Sequence, residues 1–276
     1  MDPLQAVIVA IIQGATELFP VSSLGHAVVL PPLFGSSLNQ EAPEFLPFLV
    51  LLHVGTAVAL FSFFWRDWKA IVLGTLGLAE PHQVRESRRV LLLIVVATLP
   101  AVVVGGALHG LLRQLFATPT IAAGMLIANG LMLLLVERLR GRSGRALASL
   151  RPLDAFVIGC WQCLALVPGL SRSGATIAGG LLRGLDHAAA AHFSFLIAIP
   201  IILAATVLEV PKLMHQSVPQ GVLTTALLAA VVAGAVAWLA TWTLMRFFRH
   251  NDRWSLTPFG VYSMALGGIA LVVFLA

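Results

Sequence analysis

Apolar runs almost free of charge recur along this chain, at residues 91–104, 131–136 and 222–245 among others, and they limit the fold more than any other feature. A helix needs about 20 apolar residues to cross the hydrocarbon core of a bilayer. With 59% hydrophobic and 11% charged residues among 276, and a mean hydropathy of +0.95, the chain has material for several crossings. A soluble domain does not keep such a composition in water. The expectation is an all-α polytopic membrane protein, one integral membrane domain over 1–276. The chain starts Met1-Asp2-Pro3 and runs straight into apolar residues 4–12, without the basic leader and cleavage site of a signal peptide, so no residues are set aside as one.

Apolar runs between charged breaks predict six transmembrane helices near 46–65, 90–111, 119–137, 190–210, 222–245 and 256–276. Two further apolar segments, 4–34 and 155–182, are broken by Pro, Gly and Ser clusters. Lipid-facing helices do not tolerate such breaks, because freed backbone groups lack partners, so both segments are expected as re-entrant helical hairpins. Lys and Arg collect on the cytoplasmic side. Placing both termini outside puts Arg66, Lys69, Arg85, Arg88, Arg89, Arg138, Arg140, Arg142, Arg145, Arg151, Arg183, Arg246, Arg249 and Arg253 in the cytoplasmic segments. Only Arg113 and Lys212 remain outside, with Arg172 in the second hairpin. The net charge of +5 is thereby explained by topology, and no nucleic-acid partner is expected.

Each half then reads as a hairpin followed by three spans, repeat one about 1–140 and repeat two about 150–276, and three being odd, the halves form an inverted repeat. A weak echo agrees: Gln13 and Ser22 are spaced like Gln162 and Ser171, and Ser22-Ser23-Leu24-Gly25 aligns with Ser171-Arg172-Ser173-Gly174. Two broken hairpins of this kind should meet near the midplane and line a cavity.

Glu17 and His26 of the first hairpin are ionisable groups in apolar sequence, costly enough in a membrane to read as functional. Gln13 and Glu17 are one helical turn apart and can share a cation or a water; a helix-packing hydrogen-bond network is the alternative. The second hairpin sets Arg172 among Ser171, Ser173 and Thr176, with Gly169 and Gly174 letting backbone N–H groups approach a ligand before a helix start. That is an anion nest with a bidentate clamp. A carboxylate, an imidazole, hydroxyls and a phosphate clamp suit phosphoryl transfer.

Residues 17–26, Glu-Leu-Phe-Pro-Val-Ser-Ser-Leu-Gly-His, and 168–176, Pro-Gly-Leu-Ser-Arg-Ser-Gly-Ala-Thr, followed by Phe193-Ser194-Phe195-Leu196 and Pro200, resemble the bacitracin-resistance family of undecaprenyl-pyrophosphate phosphatases. The resemblance runs over essentially the whole chain. It implies an enzyme of the bacterial inner membrane, opening toward the periplasm, that converts undecaprenyl pyrophosphate to the monophosphate carrier of peptidoglycan synthesis with a divalent cation, Mg²⁺ or Ca²⁺. Its partners would be the polyprenyl pyrophosphate and membrane lipid, and a homodimer is compatible with it. Carried over by position, Gln13 and Glu17 fall in the acidic, metal-binding motif. Ser22, Ser23 and His26 fall in the Ser/His segment, and Ser171, Arg172, Ser173, Gly174 and Thr176 in the phosphate-binding segment. Glu17 then binds the cation or acts as base, Arg172 clamps the pyrophosphate, and Ser23 or His26 is nucleophile or proton donor, the two being equivalent on sequence.

Gln13 stands where a second carboxylate often occurs, which should weaken a hard-cation site. His187 and His192, five apart, stand where a basic and an acidic residue are expected; that spacing keeps them off one helix face, and a structural role is assigned to both. His53 is read as a packed or hydrogen-bonded histidine outside the site, and Cys160 and Cys163 as small core residues, since no second pair completes a zinc set. A type-2 phosphatidic-acid phosphatase pattern wants a histidine six residues after the arginine, where Ala178 stands. Transport is the competing class, because inverted repeats with broken hairpins also build carriers; a carrier, however, needs no base or nucleophile.

Overall fold

A computed structural model of the chain describes residues 3–35, 45–108, 118–141, 144–214 and 220–276, without the side chains of 46–47, 208–214 and 220–222. The described residues form eleven α-helices: α1 Pro3–Leu18, α2 Ser23–Leu33, α3 Phe45–Phe63, α4 Trp65–Thr75, α5 Pro81–Ala107, α6 Pro119–Leu139, α7 Pro152–Leu164, α8 Arg172–Leu182, α9 His187–Met214, α10 Gln220–His250 and α11 Thr257–Leu275. Among them there is no strand, only an isolated bridge between Arg145 and Leu185. The all-helical expectation holds. Arg113, Arg142 and Met1-Asp2 lie outside the described residues, as does the side chain of Lys212.

Helix starts follow local chemistry. α5, α6, α7 and α11 carry proline in the first turn, where its missing N–H costs nothing and its fixed φ already suits a helix. α2 and α8 instead start behind serine caps, Ser22 and Ser171, whose hydroxyls accept from the N–H of Gly25 and Gly174.

Five helices are long and apolar enough to cross a membrane, and α3 with α4 makes a sixth if that bent pair is one span. The protein is a multi-pass membrane protein. Two differences from expectation matter. The predicted span 46–65 breaks after Phe63 with a 76° bend, and residues 65–75, expected as loop, continue as α4. α5 begins at Pro81 rather than near 90, because Arg85, Glu86, Arg88 and Arg89 are good helix formers that extend the helix beyond its apolar part. The short apolar helices α1, α2 and α7 fall in the segments expected as hairpins.

Packing is centred on α9. Over half of its apolar window is buried (56%) against 22% for α5 and for α11, and Phe193, Phe195 and Leu196 sit in the main core with Leu60, Leu133 and Ile177. α1 packs on α10, α3 on α10, α7 on α5 and α11 on α6. Close approach on α10 is set by small residues: a Cβ on Gly14 or Gly55 would run into the carbonyl oxygens of Ala233 and Ala230. These contacts bring the α1–α2 and α7–α8 turns together.

Candidate active site

Both helix–turn–helix segments narrow to a serine-capped turn. Pro20 follows α1, and Ser22 takes φ 67°, a left-handed conformation that costs a β-carbon residue on the order of 1–3 kcal/mol and persists because the surroundings hold it. In the other turn Gly169 takes φ 98°, and a Cβ there would strike the carbonyl of Ala122. The turns touch each other, since a Cβ on Gly25 would lie 3.1 Å from the Gly169 Cα. A side chain at Gly25 would push the turns apart by a few tenths of an ångström.

Asn129, fully buried at the middle of α6, ties the two turns together. Its amide donates to Pro20 O at 3.0 Å and to Ser263 Oγ at 3.3 Å, and its Oδ1 accepts from Ser171 N at 3.0 Å. Sequence reading passed over this residue; an uncharged amide alone in an apolar helix was the available signal. Ser173 Oγ adds a second tie by donating to Phe19 O at 3.0 Å.

The Glu17 carboxylate lies where the two turns meet. Arg172 Nη2 donates to Glu17 Oε1 at 2.8 Å, across 155 positions of sequence. On Glu17 Oε2 converge Ser23 Oγ at 2.5 Å, Gln13 Nε2 at 3.0 Å and His53 Nε2 at 3.3 Å. The predicted meeting of guanidinium and carboxylate is therefore present. His53 is hydrogen-bonded, as read, with its Nδ1 anchored on Leu49 O at 2.7 Å, but its other nitrogen is aimed at Glu17, which corrects its exclusion from the site. Periodicity could not reveal this, as the partner lies on another helix.

The remaining predicted residues are distributed unevenly. His26 does not touch Glu17: its Nδ1 is 2.7 Å from Ser22 O and its Nε2 2.8 Å from the hydroxyl of Tyr262, whose ring stacks on it. With Nδ1 donating to a carbonyl, Nε2 is the acceptor for the phenol. Ser171 Oγ is shared between the Gly174 N–H and Ser173 Oγ, each near 3 Å, so the Gly174 N–H is engaged by its own helix cap. Thr176 Oγ1 turns back to Ser194 Oγ at 2.6 Å and to the Arg172 carbonyl at 2.8 Å, locking α8 to α9 behind the cluster.

Two buried polar atoms of this cluster have no partner among the described residues, Gln13 Oε1 and Arg172 Nη1. A buried polar atom without a hydrogen bond costs on the order of 1–3 kcal/mol and points to a ligand. One orphan is an oxygen acceptor beside a carboxylate, the other a cationic donor. That pair fits a divalent cation and an anion arriving together. No three His, Cys, Asp or Glu side chains are grouped for a metal among the described residues, so such a cation would complete its shell from ligand oxygens.

Outside this cluster, His187 and His192 have separate acidic partners: His187 bonds Glu137 and Asp252, each at 2.9 Å, and His192 lies 3.1 Å from Asp67 with its ring stacked on Phe64. The structural role assigned to them agrees with this placement. Cys163 is half-buried but Cys160 is exposed, so the latter is no core residue.

An α-helical, multi-pass membrane protein with an Arg–Glu–Ser cluster built from two broken segments is the class these features define. Residues 6–269 match the family model "Bacitracin resistance protein BacA", and the chain belongs to that family. It is similar to the undecaprenyl-diphosphatase of Granulibacter bethesdensis, 59% identical with 97% of this chain and 95% of the relative covered. It is similar also to those of Acidiphilium cryptum, 55% identical with 99% and 98% covered, and Gluconobacter oxydans, 52% identical over the whole of both chains.

Proposed function

We propose that this protein hydrolyses undecaprenyl pyrophosphate to undecaprenyl phosphate and inorganic phosphate, returning the lipid carrier to peptidoglycan synthesis, the activity that underlies the bacitracin resistance for which the family is named. The observation that carries the reading is the contact of Arg172 with Glu17, which also receives the Ser23 hydroxyl.

Arg172, with Nη1 unpartnered, clamps the diphosphate. Ser23 is the better nucleophile of the two considered, because its Oγ–H already donates to a carboxylate while His26 is occupied by Ser22 and Tyr262. Its oxygen attacks the terminal phosphorus; the O–P bond to the leaving polyprenyl phosphate breaks, and Glu17 takes the hydroxyl proton. Water then attacks the phosphoserine, the P–Oγ bond breaks, phosphate leaves, and the proton on Glu17 restores the hydroxyl. His53 and Arg172 hold the carboxylate in place throughout. A Mg²⁺ or Ca²⁺ ion, held by Glu17 and Gln13 with diphosphate oxygens, would neutralise charge developing on the phosphates.

The proposed architecture is six spans with re-entrant hairpins 4–34 and 155–182, in one membrane domain of two inverted repeats, about 1–140 and 150–276. Crosswise packing supports it, α1 of the first half on α10 of the second and α7 of the second on α5 of the first, as do the matching serine caps. The basic residues at the α4, α6 and α10 ends support an orientation with those ends in the cytoplasm of a bacterial inner membrane and the site opening toward the periplasm.

The test is free-phosphate release from polyprenyl pyrophosphate by purified protein in detergent with Mg²⁺ or Ca²⁺, comparing native, Glu17→Ala, Ser23→Ala and Arg172→Ala proteins. Release is expected only from the native protein; undiminished release by Arg172→Ala removes the site assignment. For orientation, a cysteine near Arg145 in a background lacking Cys160 and Cys163 should resist an impermeant thiol reagent in intact cells.

A further inference from the structure

The last turns of α10 carry a basic stripe with no part in the cluster around Glu17. Trp242, Met245, Arg246, Arg249 and His250 recur at the spacing of one helix face, and with Phe63 at the end of α3 they line a half-open cavity of about 200 Å³. Trp242, Arg246, Arg249 and His250 are exposed. The Arg246 guanidinium stacks over the Trp242 ring, 5.5 Å from its centroid. Neither the Arg246 nor the Arg249 guanidinium has an ion pair or hydrogen bond to another described residue.

Three acids at this end already face other partners, and no acid lines the cavity. Asp67 is held by His192 at 3.1 Å, Glu137 by Arg140 and His187, and Asp252 by the same two residues. The cavity's charge is thus wholly positive. Depth is fixed by helix length: the apolar part of α10, Leu223–His250, has 28 residues. At about 1.5 Å per residue it outruns a hydrocarbon core of about 30 Å. Some 20 residues from Leu223 end at Trp242, an interfacial ring, and Arg246 and Arg249 stand roughly 6–10 Å further out, at the level of lipid phosphates.

We propose that this cavity binds the headgroup of one anionic phospholipid, a glycerophosphodiester of the phosphatidylglycerol type. Arg246 and Arg249 grip the phosphate, and Phe63, Trp242 and Met245 cover the glycerol and first acyl carbons. Guanidinium groups match phosphate oxygens in pairs, and basic clefts between membrane helices at this depth select anionic headgroups. A second copy of the chain is the poorer occupant, because a two-fold contact would face this positive stripe with itself.

The test uses the full chain in phosphatidylcholine nanodiscs containing phosphatidylglycerol, with native mass spectrometry counting retained lipid after extraction. The native protein should keep one phosphatidylglycerol and no phosphatidylcholine. Arg246→Gln with Arg249→Gln should bind phosphatidylglycerol about thirtyfold more weakly, about fivefold per arginine. Arg253→Gln, an exposed arginine three positions beyond His250 that does not line the cavity, should bind as the native protein does. Phosphate release in detergent, unchanged in the double variant, checks that it is folded. Equal retention by native and double-variant proteins, equal retention of both lipids, or equal loss in Arg253→Gln overturns the proposal. So does loss of lipid that accompanies a dimer-to-monomer change, which would make the face a subunit interface.

Discussion

Glu17 and Glu137 are both buried glutamates met by an arginine and a histidine, yet one lies in a candidate active site and the other in a joint. Around Glu137 the partners are fixed: Arg140 lies one turn along the same helix at 3.1 Å, His187 opens α9 at 2.9 Å, and backbone N–H groups of Trp254 and Leu256 donate at 2.9 and 3.0 Å. Trp254 accepts φ 57° in the turn that presents its N–H. Around Glu17 the partners are all side chains, drawn from α1, α2, α3 and α8, and two neighbouring polar atoms remain unsatisfied. Backbone donors cannot leave without unfolding a turn, whereas side-chain donors can be exchanged for a ligand's oxygens. What separates a site from a staple here is who donates and what is left over, not which residue types gather.

The contrast breaks or sharpens under substitution. Arg172→Ala should lower kcat for phosphate release about 10³-fold, about 4 kcal/mol of transition-state stabilisation, with little change in thermal unfolding in detergent. Glu137→Ala should do the reverse: a loss of about 3 kcal/mol in unfolding, because the Trp254 and Leu256 N–H groups lose their acceptor and Arg140 and His187 keep only the exposed Asp252, and unchanged activity per folded molecule. If both variants lose activity alone, the division between site and joint fails.

Asn129→Ala should cost about 2 kcal/mol, since Ser171 N–H and Pro20 O lose their partner. Because Asn129 acts through the two turns, kcat should fall as well, and Asn129→Asp, which keeps the acceptor for Ser171 N–H, should recover part of that loss. A fall in stability with kcat untouched would reduce Asn129 to packing.

The smallest effect is expected at Asp252. Burial raises its carboxyl, but the hydrogen bonds from His187 and the charge of Arg140 outweigh burial and hold it below the ordinary carboxylate range. A depressed folded value means stabilisation present above the unfolded pKa of about 3.9 and lost as pH falls through the folded value. Asp252→Asn should therefore cost below about 1 kcal/mol at neutral pH, screened as an exposed pair, and the difference from the native protein should vanish in acid. Parallel unfolding curves at several pH values check this.

The membrane class, the helical content and the two Pro-, Gly- and Ser-broken segments were legible along the chain. Apolar run length and clusters of Pro, Gly and Ser are local signals, and local chemistry sets them. Glu17, Ser23 and Arg172 could also be singled out, because charge in apolar sequence is costly wherever it lies. His53 and Asn129 were not legible. Each is one polar residue in an otherwise ordinary apolar helix, and its meaning comes from a neighbour supplied by another part of the chain: Glu17 for His53, and both turns for Asn129. The bend after Phe63 escaped for a related reason, since no Pro or Gly marks it.

By itself, then, the sequence determined that this chain lives in a bilayer, where its apolar stretches run, and which costly polar groups must find partners. Tertiary structure alone decided the pairing: Arg172 and His53 on Glu17, Tyr262 on His26, His187 on Glu137. Hydropathy and capping act within a turn or a span, whereas a hydrogen bond across 155 residues depends on how close helices such as α1, α3 and α10 can pack, and that is settled only when they meet.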